Sequence, residues 1–176
     1  MRPPSPLVCA AWLVAGANAC ATPPASDAAG GGPSVPSTSP SSQPAVRPLP
    51  ESAHLLNAPS GGPDAAEVRV FRDRAAWERA WAELGGPDAA PTPAVDFTRE
   101  MVVLVAAGQR TSGGHAVRVD GTSGGGDEAL VLHVTATAPG PGCMATMALT
   151  SPLDVVRVPR APGEVRVVTR SVARPC

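Results

Sequence analysis

Residues 101–107, Met-Val-Val-Leu-Val-Ala-Ala, are an unbroken apolar run closed by Gly108. Seven residues are too few to cross a bilayer, which takes about 20. A run this short and rich in valine reads as a β-strand covered on both faces, and therefore as the centre of a layered domain. The chain around it, from Asp96-Phe97-Thr98 through Gly108-Gln109-Arg110-Thr111-Ser112-Gly113-Gly114, joins this strand by a polar glycine loop to a second one at His115-Ala116-Val117-Arg118-Val119-Asp120. The second segment alternates, as a strand with one face toward a core must.

Other elements follow from pattern. Glu67-Val68-Arg69-Val70-Phe71 alternates and predicts a strand. Asp73 is placed to cap a helix, in which Trp77, Ala80, Trp81 and Leu84 recur at i, i+3, i+4 and i+7 and so share one face. This stripe reads as core. Gly85-Gly86-Pro87 ends the helix. Further strands are expected at Ala129–Ala136, Met144–Leu149, Leu153–Val158 and Glu164–Thr169, with Pro139-Gly140-Pro141-Gly142 as an interruption. The expected fold is α+β: one amphipathic helix packed on a largely antiparallel sheet of about six or seven strands.

Ahead of this domain the composition is different. Residues 1–19 read as a secretory signal: Arg2, an apolar stretch from Leu7 to Ala17, and the small-residue site Ala17-Asn18-Ala19 before Cys20. Two readings stand for Cys20, lipidation as in a bacterial lipoprotein, or a plain cleavage product with a free thiol. After loss of Cys9 with the signal, the exported chain holds Cys20, Cys143 and Cys176. An odd count in an oxidising compartment favours acylation of Cys20 and a bridge between the other two. Residues 20–64 are rich in Pro, Ser, Ala and Gly and read as a disordered linker, in which His54, Leu55 and Leu56 are a chance apolar cluster. The globular domain is expected over 65–176. The expected location is the cell envelope, lipid-anchored, with a periplasmic or secreted form as the alternative.

Formal net charge is −1, so the sequence makes no electrostatic case for nucleic acid, whose binding needs a concentrated basic face. The arginines Arg157, Arg160, Arg166, Arg170 and Arg174 make the C-terminal stretch locally basic, read as a solvated strand edge. Ser112, His115 and Asp120 invite comparison with a catalytic triad. However, Ser112 and His115 flank glycines on one loop, read as flexible, and Asp120 falls on the opposite face of the strand from His115. His54, His115, His133 and the cysteines lack the paired spacing of a zinc site, and His133 is expected to be exposed. The expectation is therefore of no catalytic residues, no metal and no cofactor.

From Val68 to Thr169 the chain resembles the C-terminal domain of the PrcB family of protease-complex subunits. The resemblance rests on the tryptophan helix, Val95-Asp96-Phe97 leading into Met101–Val105, the loop Gly108–Gly114, Pro139-Gly140-Pro141-Gly142-Cys143, Ser151-Pro152 and Val155-Val156-Arg157-Val158-Pro159. His115 stands where the family pattern has tyrosine. The resemblance implies a non-catalytic envelope lipoprotein acting as a protein-binding module, with an exported subtilisin-like protease as partner. The partner-binding loop is then Gly108, Arg110, Thr111, Ser112, Gly113, Gly114 and His115. The competing reading is a secreted protease inhibitor or small-ligand-binding domain using the same loop.

Overall fold

A computed structural model describes residues 45–85 and 91–176. Cys20, the residues read as a signal and the first part of the stretch read as a linker lie outside the described residues. The described residues form two four-stranded sheets and one α-helix. One sheet has the order β1-β5-β6-β8, from Arg47–Pro48, Ala116–Gly124, Leu130–Pro139 and Val165–Arg174. The other has the order β2-β7-β4-β3, from His54–Ala58, Leu153–Pro159, Glu100–Ala107 and Ala66–Phe71. Neighbouring strands are antiparallel except β6 and β8, which run parallel.

Three layers result. Met101, Val103 and Val105 of β4 join Val156 and Val158 of β7 in a core with Val117, Val119, Leu130, Leu132 and Val134 of the facing sheet. On the other side of the same strands, Val102, Leu104, Ala106, Leu153 and Val155 pack against Phe71, Trp77, Ala80 and Trp81. β4 is thus buried on both faces, and that is the physical reason for its unbroken apolar run. The helix α1 spans Arg74–Glu83, and the Asp73 carboxylate accepts the Ala76 N–H at its start. Trp77 and Trp81 lie with ring centroids 5.3 Å apart, and the Trp77 indole N–H donates to the Pro93 carbonyl.

The structure departs from the sequence reading in four places. First, residues read as the end of the linker are folded: β1 and β2 occupy sheet edges, and a 3₁₀ turn at Glu51–Ala53 carries the chain from one sheet to the other. His54, Leu55 and Leu56 are partly buried in β2, which pairs with β7, and pairing with strands about 100 residues away leaves no trace in local composition. Second, Met144–Leu149 forms no strand; its side chains stand out in solvent with no ladder to join. Third, the strands among the described residues number eight and are divided between two sheets. Fourth, His133 is half-buried, with its ring Nε2 2.8 Å from the Ser123 hydroxyl.

The two sheets are joined by a polar link within the apolar core. Asp154 on β7 is 0% exposed; its carboxylate accepts the Val119 N–H at 2.7 Å and lies 2.9 Å from His54 Nδ1. Like the Val117 carbonyl two residues earlier, the Val119 N–H points away from β6, and it reaches the carboxylate just before the β5–β6 register shifts between Val119 and Gly121. The Asn57 side-chain amide donates to the Val117 carbonyl beside it. A buried carboxylate costs free energy unless it is paired and hydrogen-bonded, and here it is both.

Candidate functional site

One end of the sandwich gathers the loop between β4 and β5 and the long connection between β6 and β7. Gly108 opens the first loop in a left-handed conformation, φ +76°, and a Cβ there would lie 2.7 Å from the Ala66 backbone nitrogen. Only glycine satisfies both conditions. Gln109 donates its N–H to the Asp64 carbonyl, and Arg110 exchanges both backbone bonds with Thr150, at 2.7 and 3.0 Å. The Arg110 guanidinium folds back to the Ala107 carbonyl.

Further along, the Gly113 N–H donates to the Thr146 carbonyl at 2.9 Å, and the Thr150 hydroxyl donates to the Ser112 carbonyl. A Cβ on Gly113 would run into the Thr146 hydroxyl, so a larger residue there would have to displace that side chain. The loop read from sequence as flexible is instead clamped at four points against 146–150 and Asp64. Thr111 and Gly114 lie exposed at its tip.

The second segment is anchored by the Cys143–Cys176 disulfide, with Cα atoms 5.4 Å apart. The expected bridge is present, and it fixes the segment where it leaves the Pro139–Gly142 corner. Beyond it, Met144 and Met147 are 101% and 96% exposed and Leu149 is 67% exposed. A cleft of about 630 Å³ lies beside them, lined by Gly114, Pro139, Met144, Thr146 and Arg174 among others. Unbranched, polarizable methionine side chains held in solvent suit contact with a partner's apolar surface. The sequence reading missed these residues because Met144–Leu149 has the length and composition of a strand and was read as one.

Ser112 and His115 do meet, Oγ to Nε2 at 3.3 Å, and His115 is half-buried. The third member of a triad does not join them. Asp120 accepts from the Thr135 hydroxyl and lies 3.5 Å from Arg170, on the outer side of the sheet. Among the described residues no carboxylate bonds His115, and no group of three His, Cys, Asp or Glu side chains is arranged to hold a metal. The arrangement offers shaped surface and exposed apolar side chains, and among the described residues no carboxylate is placed to orient His115.

Electrostatics elsewhere stabilise structure. A hydrogen bond from Arg118 holds the Glu51 carboxyl below its ordinary range and ties the 3₁₀ turn to β5. Asp96 is likewise held low, by the Thr98 hydroxyl and backbone N–H, at the turn that leads into β4.

The fold and this end define a helix-backed β-sandwich that presents two loops tied to each other and to the chain before β3. The PrcB C-terminal family model matches residues 101–159, the stretch from β4 through β7 that includes both loops. The family resemblance read from the sequence is borne out over those residues, a shorter span than the one from Val68 to Thr169. A search of the curated proteins found no match, and neither did a search of the solved structures.

Proposed function

We propose that the protein is a non-catalytic binding module of the cell envelope, which docks through the clamped loop end onto a partner in a protease complex. The observation that carries this reading is the exposure of Met144, Met147 and Leu149 on a segment that a disulfide and the Gly108–Gly114 loop hold in place. Rigid presentation of apolar side chains lowers the ordering cost of association. The family match over 101–159 supports a protease complex as the setting, and an exported subtilisin-like protease is the partner expected. Met1–Cys20 supports export with a lipid anchor at Cys20, which would hold the domain at a membrane.

The test is recovery of the full chain from its native envelope after mild crosslinking. An exported protease, identified by mass spectrometry and by its own activity, accompanies the wild type and is lost with Met147→Ser. Recovery of the chain alone, or of a protease whose yield Met147→Ser leaves unchanged, would overturn the reading. Adding the purified protein to that protease distinguishes a stabiliser, which preserves activity, from an inhibitor, which lowers it.

A further inference from the structure

β8 lies at the edge of its sheet and pairs with β6. Two bonds near its ends fix how its backbone is turned: the Leu130 N–H donates to the Glu164 carbonyl at 3.0 Å, and the Gly140 N–H donates to the Arg174 carbonyl at 2.9 Å. Because peptide groups alternate in direction along a strand, the even-numbered residues address β6. Val167, Thr169, Ser171 and Ala173 therefore turn their N–H and C=O groups toward the open side. The strand is ten residues long, so this is a substantial row of available donors and acceptors.

The side chains above that row follow a regular pattern. Val165 and Val167 pack toward the core, so the even positions stand on the outer face, in the order Arg166, Val168, Arg170, Val172, Arg174. Val168 and Val172 are 55% and 41% exposed, and β8 contains no acidic residue. Arg166 is engaged by Glu164, and Arg170 by Thr135 and Asp120, in exposed contacts that are readily exchanged. The Cys143–Cys176 bridge ties the chain down two residues beyond the far end of the strand.

We propose that β8 takes up an extended acidic segment of a partner protein as an added strand. Directly opposed residues of adjacent strands share a face. The arginines at every fourth position therefore select carboxylates at every fourth position, with β-branched residues between them to cover Val168 and Val172. Arginine and carboxylate form charge-assisted, geometrically specific pairs, and the outward backbone groups supply the ladder bonds. A second copy of the chain is the poorer occupant, because it would set two arginine rows side by side. This surface adjoins the loop end at Arg174 but stands independently of the function proposed above.

The test measures anisotropy of a labelled peptide, Glu-Thr-Val-Thr-Glu-Thr-Val-Thr-Glu, with the full chain at about 0.15 M salt, against a peptide of the same composition with its glutamates contiguous. The alternating peptide is expected to bind at least about tenfold more tightly. Ser171→Pro removes one outward N–H without touching the β6 ladder and is expected to abolish that preference. Arg170→Gln, at an exposed position that cannot unfold the domain, weakens binding severalfold and decides the matter alone if the proline variant fails to fold. Met147→Ser leaves peptide binding unchanged, which separates this surface from the loop end. Equal binding of the two peptides, indifference to Arg170→Gln, or a dimer of the chain that Ser171→Pro dissociates would each overturn the proposal.

Discussion

Replacing Asp154 by alanine is expected to be the most damaging single polar substitution in the domain. The carboxylate is completely buried and serves two groups from different strands, the Val119 N–H at 2.7 Å and the His54 ring at 2.9 Å. Alanine leaves the Val119 N–H unpaired between the sheets, a desolvation cost of about 1–3 kcal/mol. It also strips His54, a side chain 6% exposed whose Nε2 is already buried without a partner among the described residues. Breaking a buried pair by removing one member costs about 3–5 kcal/mol, and that is the loss expected here. A domain of this size has only about 5–15 kcal/mol in total, so the variant stays folded with a much lower denaturation midpoint. Urea unfolding followed by tryptophan fluorescence measures it, since Trp77 and Trp81 sit in the adjoining core. His54→Ala and the double variant complete a cycle, in which the double variant loses less than the sum of the singles by about 0.5–3 kcal/mol. A loss under about 1 kcal/mol for Asp154→Ala would refute the reasoning, because a carboxylate that is dispensable there cannot be what joins the sheets.

Replacing Cys143 and Cys176 together by serine removes a crosslink between residues 33 apart in sequence and is expected to cost about 3–4 kcal/mol in the chain-entropy account, read as a lower melting temperature that reductant no longer shifts. Gly113→Ala drives a methyl group into the Thr146 hydroxyl and should cost about 1–3 kcal/mol; adding Thr146→Ala recovers most of it, and failure of that rescue in thermal unfolding would show that the close approach is not the cause. Trp77→Ala empties the space between α1 and the β4–β7 face and should destabilise by about 3–5 kcal/mol in the same urea assay. Glu51 and Asp96 have carboxyls held low in the folded state, so their contribution is present at neutral pH and is lost as pH falls through their folded values; Asp96→Asn should flatten the acid limb of a plot of melting temperature against pH, and an unchanged limb would count against it.

The parts of the fold legible in the sequence are those where burial imposes a local period. The β4 run, the α1 stripe and the alternation at Val117 and Val119 each follow from having two, one or alternate faces against apolar neighbours. β1 and β2 were not legible, because their partners lie on β5 and β7 and β2 includes polar His54 and Asn57, whose roles depend on groups 100 and 60 residues away. Met144–Leu149 misled for the opposite reason: its composition suits a strand, and nothing local reveals that no partner strand lies beside it. The segment Gly108–His115 was legible as the connection between β4 and β5, while the clamp that holds it was not, since Thr146 and Thr150 become its partners only once the β6–β7 connection has folded back.

The double covering of β4 also bears on how sequences of this kind can diverge. Between Met101 and Ala106 every side chain meets packed neighbours on whichever side it points, so substitution there is confined to exchanges among aliphatic residues of similar volume. The outer face of the β1-β5-β6-β8 sheet carries no such restriction, and the two loops at its end are restricted mainly at Gly108, Gly113 and Cys143. A lineage can thus rewrite what its surface meets while the middle layer keeps the same few hydrocarbon side chains.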